Sequence, residues 1–388
     1  MKLWSTERAR ISFYSIFYAY ISLFLYGMID NIRGPIYPEL LKRFSIDHST
    51  GSWFFSLASF SILVAAYFSP WLLRSQKYIV IFRLSLFLTL LSQVVFYFSD
   101  SFYGFLLGAT LMGFGVGPLT VLQNVLVMKA SSPHNLSRIM NGLHANYGGA
   151  SLFAPLVVAF AIQINWGYQA AFLISSAFAL GVFLISFATP HLVDIYHKVD
   201  MVKNESIKKN HISINHAGFA SILALYVAAE VLLGTRLSYY LIDIHGFNQA
   251  QASVWVSYFF LALFISRIGF TFVKVPISHR ALLLVMMSLS FLVMLLSAFV
   301  DPTFFILTGF TMGPIYALSI SLAKDQFPEE LESVSAAAVV LSGVAIVSMH
   351  SLVGWVTDLY GIKNAMLIAP LLLILSVGFL LRSKNKVK

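Results

Sequence analysis

Asp30, Arg33, Glu230 and Arg236 are charged residues set inside long apolar runs. Burying a charge in apolar surroundings is costly, so each needs a partner or a task. On a helix, Tyr26, Asp30, Arg33 and Tyr37 fall on one stripe, spaced four, three and four. That stripe gathers a carboxylate, a guanidinium and two phenols, with the amide of Asn31 beside them. Such a face can take up a proton or bind a polar solute. The competing expectation is an Asp30–Arg33 pair that only neutralises itself. Glu230 shares its face with Tyr226 and Gly234. A carboxyl in a low dielectric favours its protonated form and releases the proton when water reaches it. Asp30 and Glu230 are therefore the candidate coupling groups, unless Glu230 is a permanent acid bonded to a backbone carbonyl. Arg236, off that stripe and near the end of its run, is expected to snorkel toward lipid headgroups.

Further polar residues could contact a solute. His144 has Asn141 one turn before it and Gly148 and Pro155 further along the same face. Those donors and acceptors suit a hydroxylated molecule, and equally a polar helix-packing face. Asn124 shares a stripe with Gly113, Gly117 and Thr120, where the glycines are expected to serve packing. Tyr316, and His350 between Val347 and Gly354, complete the set. Ten histidines and no cysteine give neither metal-ligand spacing nor disulfides. No phosphate loop and no Gly-x-Ser-x-Gly elbow is present, so neither ATP-driven transport nor an enzyme is indicated. No cofactor is expected beyond a transported proton or sodium ion.

The elements that hold these residues follow from composition. Of 388 residues, 59% are hydrophobic and 11% charged. A soluble chain averages about half apolar and about one quarter charged. The bilayer is therefore the expected solvent and a lipid partner, and at about 20 apolar residues per span the chain holds roughly twelve helices. Apolar windows lie near 14–43, 50–72, 78–98, 102–128, 140–163 and 167–189. After a polar stretch come 217–242, 250–273, 280–299, 302–323, 333–356 and 364–382. The expected organisation is a six-helix bundle over 1–190, a cytoplasmic loop over 191–216 and a second six-helix bundle over 217–388.

The net charge of +9 lies between these windows rather than in one stripe, which speaks for membrane topology over nucleic acid. Most of the 25 Lys and Arg fall on the side of the N-terminus, against Lys42, Arg43 and Lys363 on the other. That bias places both termini in the cytoplasm. The first apolar run is too long for a secretion signal and lacks a cleavage site, so it is expected to stay as a helix. With compact loops and no transit peptide, a cell inner (plasma) membrane is the expected location. Nothing in the sequence calls for an oligomer, so a monomer is expected.

The chain also repeats itself. Gly113-Phe114-Gly115-Val116-Gly117-Pro118 recurs as Gly309-Phe310-Thr311-Met312-Gly313-Pro314. Pro133 and Leu136 match Pro328 and Leu331, and Gly167-Tyr168-Gln169-Ala170-Ala171 resembles Gly361-Ile362-Lys363-Asn364-Ala365. All three fall at an offset of about 195, so the halves repeat in parallel. Two such bundles related by an axis along the membrane normal, with a solute site at mid-depth, are the plan of major-facilitator transporters.

With this plan the chain resembles the major facilitator superfamily over essentially its whole length. Within it the likeness is to the fucose-permease-like branch of sugar:cation symporters. The stretches that carry it are Leu23 to Asn31 followed by Pro35, Pro38 and Phe44, then Asn141 to Ala150 leading to Pro155. Tyr226-Val227-Ala228-Ala229-Glu230 and Ser266-Arg267-Ile268-Gly269 add to them. The family's loop after the second helix is reduced to Trp71-Leu72-Leu73-Arg74-Ser75-Gln76-Lys77, without its aspartate. Where the branch has its acid on the first helix, this chain has Gly34, one turn beyond Asp30.

The resemblance implies a secondary active transporter of a small polar solute, a sugar before others, driven by protons or sodium. An alternative stays open on the same fold: a proton-driven exporter of drugs, siderophores, other metabolites or organic anions. A membrane receptor without flux and an intramembrane enzyme are the remaining rivals, and no residue pattern nominates either.

Overall fold

The computed structural model describes residues 2–132, 134–188, 213–272 and 276–383. Six helices precede the central stretch: α1 (Lys2–Phe44), α2 (His48–Ser75), α3 (Tyr78–Phe98), α4 (Phe102–Ala130), α5 (Leu136–Gln163) and α6 (Gln169–Ala188). After it come α7 (Ile214–His245), α8 (Gln249–Phe272), α9 (His279–Phe299), α10 (Phe304–Met312), α11 (Ile315–Gln326), α12 (Leu331–Met366) and α13 (Ile368–Arg382). No strand occurs among the described residues. The predicted loop over 191–216 lies outside them except for Ser213 to His216.

Among the described residues eleven helical spans are long and apolar enough to cross a bilayer, α10 and α11 counting together as Phe304–Gln326, with Ile368–Arg382 as a shorter apolar one. Two predicted windows map onto the helices in unexpected ways. The window 302–323 is two pieces, α10 and α11, interrupted at Gly313-Pro314. Conversely α12 runs through Gly361, where φ is +80°, and so joins the predicted eleventh and twelfth helices across a kink. Gly167, its partner in the repeat, also has a left-handed φ of +75°. Only glycine adopts that conformation without a steric penalty, which is why both copies keep it.

Side-chain caps fix where several spans begin. Ser101 accepts from the Gly104 N–H and Ser278 from the Ala281 N–H, each at 3.2 Å. Ser213 and His216 form a reciprocal capping box at the start of α7. Inside the spans, buried serines such as Ser69, Ser175 and Ser319 donate to a carbonyl one turn back, which satisfies their hydroxyls locally. The repeated glycines serve packing, as expected. A Cβ on Gly113 or Gly117 would stand 2.7 Å from Ala58 O or 2.8 Å from Ile62 O of α2. One on Gly313 would stand 2.8 Å from Leu263 O of α8. The α2–α4 contact thus recurs as α8 against the α10–α11 span.

The described residues form two compact units. The first holds 2–30, 57–154 and 164–188, and the second 31–56, 155–163 and 213–383. The later part of α1, the start of α2 and the end of α5 therefore group with the helices that follow the central stretch.

Within the second unit the start of α2 is held by α12. Asp358 accepts from the His48 N–H at 2.8 Å and the Ser49 N–H at 2.7 Å, and also from the Ser49 hydroxyl. A helix leaves its first N–H groups without intrahelical partners, and a carboxylate there also meets the positive end of the helix dipole. Asp47 takes the Thr50 N–H at 2.7 Å, and the Thr50 hydroxyl together with this N–H holds its carboxyl below the usual carboxylate range. One turn further, Ser56 meets Ser351 at 3.1 Å. Val347, Ser351, Gly354 and Asp358 make the stripe of α12 that α2 rests on.

Asp358→Ala is expected to loosen this contact by about 0.5–2 kcal/mol, the usual worth of a helix cap. The chain has no native cysteine, so Ser56→Cys gives a single buried thiol on that seam. Its modification by a maleimide in detergent should speed up roughly 2- to 30-fold when Asp358→Ala is added. An unchanged rate would mean that the cap does not hold α2 on α12.

Candidate functional site

In the first unit, helix 1 and helix 5 meet at Gly27, whose missing Cβ would stand 2.7 Å from Ala150 Cβ and 3.1 Å from Tyr147 O. That close approach brings Tyr147 beside the next turn of α1. Its hydroxyl donates to Asp30 Oδ2 at 2.8 Å, and its ring lies 5.3 Å from that of Tyr26. Ser151 donates to the Tyr147 carbonyl at 2.9 Å. Asp30 and Tyr26 are half-buried. Asn141 and His144, about two turns and one turn before Tyr147 on α5, are exposed. Asn124 is half-buried and donates to the Thr120 carbonyl of its own helix at 2.7 Å.

In the second unit, Glu230 is held from two sides. Arg267 Nη2 reaches Glu230 Oε1 at 2.9 Å and Oε2 at 2.8 Å. The Tyr226 hydroxyl donates to Oε2 as well, and also lies 3.0 Å from the Met312 carbonyl oxygen. Arg267 Nε donates to the Gly313 carbonyl at 3.3 Å. The Glu230 side chain remains 16% exposed and that of Arg267 25%, so both side chains can be reached by water. Tyr226 is 0% exposed and cannot be, whereas Tyr316 at 39% can. A carboxylate clasped by a guanidinium and a phenol is held by charge-assisted hydrogen bonds. Residue spacing named no cation for Glu230, and Arg267 of α8 supplies one.

A third group, also in the second unit, is buried. Arg236 is 1% exposed, not extended to headgroups as expected from its place near a helix end. Its guanidinium carbon lies 4.2 Å from the centre of the Tyr37 ring and 4.3 Å from that of Phe55, and Nη2 donates to Ser52 Oγ at 2.9 Å. Two aromatic faces and a hydroxyl replace part of its lost hydration, which is what lets it stay inside. Arg33 lies 5.5 Å from the same Phe55 ring, and the buried His350 stacks on it at 5.0 Å. The stripe expected along α1 is thus divided: Tyr26 and Asp30 face Tyr147, while Arg33 and Tyr37 are sealed in the aromatic group. Asn31 is half-buried between these two turns.

The structure also brings out a repeat that spacing alone leaves unremarked. Tyr26-x-x-x-Asp30-x-x-x-Gly34 on α1 recurs as Tyr226-x-x-x-Glu230-x-x-x-Gly234 on α7. The two glycines meet: a Cβ on Gly34 would overlap the Gly234 carbonyl oxygen and stand 3.0 Å from Thr235 Cα. The two acids are therefore equivalent positions of two repeats, one turn before a helix crossing.

The sequence profile of the Major Facilitator Superfamily matches residues 19–349. The chain belongs to that superfamily. It is a multi-span membrane transporter of a small molecule, and not an enzyme. The Protein TsgA homolog of Buchnera aphidicola subsp. Baizongia pistaciae (strain Bp) is 21% identical over 367 residues, covering 91% of each chain. The glucose/mannose transporter GlcP of Bacillus subtilis (strain 168) is 24% identical over 366 residues, covering 87% of this chain and 86% of its own. Among solved structures, a D-xylose-proton symporter superposes with a TM-score of 0.75 at 12% identity, over 97% of this chain and 99% of that one. A peptide transporter POT in complex with sulfate gives 0.70 at 13% identity, over 96% of each. These superpositions show the fold.

Two residues central to this superfamily member's geometry were not singled out by sequence reasoning. Arg267 sits in an apolar run just as Asp30 does, and the need of Glu230 for a cation was a signal for it. Tyr147 had no comparable signal, since a tyrosine in a chain with 18 of them draws no attention.

Proposed function

We propose that the chain is a proton-coupled symporter of a small polar solute, a monosaccharide before others. It would act as a monomer in the cell inner (plasma) membrane with both termini in the cytoplasm. The observation that carries the reading is the solvent-reachable Glu230–Arg267 pair. A carboxylate accepts and a guanidinium donates, so neighbouring sugar hydroxyls, each both donor and acceptor, fit the two together. Tyr316 offers an aromatic wall two residues past Pro314 in the tenth span. Asp30, with Tyr147 to receive it, supplies a second carboxylate at the equivalent position of the other repeat. The name of the Bacillus relative agrees with a sugar.

Coupling follows if protonated Asp30 and bound solute favour the same state of the carrier, since a ligand shifts a conformational balance only by its differential affinity. Proteoliposomes with a trapped pH dye test this directly. Addition of glucose or mannose outside is expected to acidify the lumen. A response to cationic drugs or organic anions alone would replace the symporter with an exporter. Silence toward sugars under both proton and sodium gradients would overturn the reading.

A further inference from the structure

The hydrogen-bond ladder of the tenth span is interrupted at Gly313-Pro314, although both residues keep right-handed helical dihedrals, whereas that of its repeat partner, α4, continues. Both carry Gly-x-x-x-Gly-Pro, yet α4 runs unbroken through Pro118. Proline removes one N–H and crowds the carbonyl before it, so a kink is permitted in both copies and compelled in neither. In the tenth span the backbone ladder resumes with the Leu318 N–H on the Pro314 carbonyl at 3.0 Å. The Met312 and Gly313 carbonyls accept from side chains, the Tyr226 hydroxyl at 3.0 Å and Arg267 Nε at 3.3 Å. In α4 the Gly117 carbonyl is taken by Thr120 of the same helix at 2.7 Å. The two side chains that bond these carbonyls are the same two that hold Glu230.

We infer that Tyr226 is a positioning residue rather than a solute contact: its hydroxyl ties the Glu230–Arg267 pair to the interrupted ladder of the tenth span, so that the state of the pair sets how α10 and α11 join. The inference rests on the pair as the solute site. A phenol has one proton and here faces two acceptors, Glu230 Oε2 and Met312 O. When a solute hydroxyl occupies the carboxylate, the phenol proton goes to Met312 alone. When Arg267 turns to the solute, the Gly313 carbonyl loses its donor. In an apolar medium that carbonyl must find another, and the N–H one turn on along α11 is the nearest by sequence. Binding is thereby relayed to the hydrogen-bond ladder of a helix.

The test uses two spin labels on the cysteine-free chain, at Leu307→Cys on α10 and Lys324→Cys on α11, both exposed. Without any solute, Glu230→Gln is expected to shift the distance distribution between them. In a Tyr226→Phe background the same change should produce no further shift. Identical distributions in all these proteins, or independent additive shifts, would overturn the inference. In glucose exchange, Tyr226→Phe is expected to lower the maximal rate about tenfold and leave half-saturation within about twofold. A raised half-saturation with an unchanged rate would make Tyr226 a solute contact instead. Should no sugar be carried, the proposed function fails while the label distances still decide the link.

Discussion

Asp30→Asn abolishes uphill accumulation and leaves solute exchange nearly intact, if the proposed coupling is right. Asparagine has the shape of a protonated aspartic acid and keeps an oxygen for the Tyr147 hydroxyl, which donates to Asp30 at 2.8 Å. The packing of α1 on α5 at Gly27 is untouched by it. What is lost is the ability to exist in two charge states, and with it the dependence of one conformation on the proton. Coupling free energies run to about 1–3 kcal/mol, so the accumulation ratio should fall roughly 5- to 150-fold. Counterflow, in which labelled sugar exchanges for unlabelled, reads the carrier without the gradient. Retained accumulation would remove Asp30 from the coupling, and loss of both activities would assign it to folding or solute binding.

The second large effect is at the crossing of α1 and α7. Gly34→Ala places a methyl group against the Gly234 carbonyl and 3.0 Å from Thr235 Cα, both backbone atoms that no rotamer change can move. Overpacking costs about 1–3 kcal/mol where side chains can adjust, and more where the backbone must. Gly34→Ala should therefore lower the melting temperature in detergent and reduce transport steeply. Gly234→Ala is the matched control, because its methyl would meet only the Phe260 ring edge at 3.0 Å. A ring can tilt, so the second variant is expected to be the milder one. Equal effects would mean that the helices separate easily at this point.

These contrasts explain how much could be read before the fold was known. The spans were legible because a bilayer leaves a helix few ways to hide its backbone, and a run such as Tyr78 to Phe98 has no other reading. The repeat was legible because glycine and proline change little when a contact must be kept. Side-chain partnership was not. Tyr226 and Glu230 share a face by spacing, yet one is sealed and the other reachable, a difference made by Met312 from a remote helix. Arg236 looked terminal by position, but the rings of Tyr37 and Phe55 come from other helices and no local pattern announces them. The break at Gly313-Pro314 was equally hidden, because the same letters in α4 give a continuous helix.

The enclosure of Arg236 has an electrical consequence. Among the described residues no carboxylate pairs with it, and arginine stays protonated in proteins. A fixed positive charge therefore sits where α1, α2 and α7 close on one another. At an effective dielectric near 20, a second unit charge about 4 Å away is repelled by about 4 kcal/mol. Sodium, or a hydronium ion travelling through stray water, would meet that barrier at the seam, while an uncharged sugar would not feel it. For a carrier driven as proposed, such a seal would hold back leakage of its own driving force whenever the solute is missing.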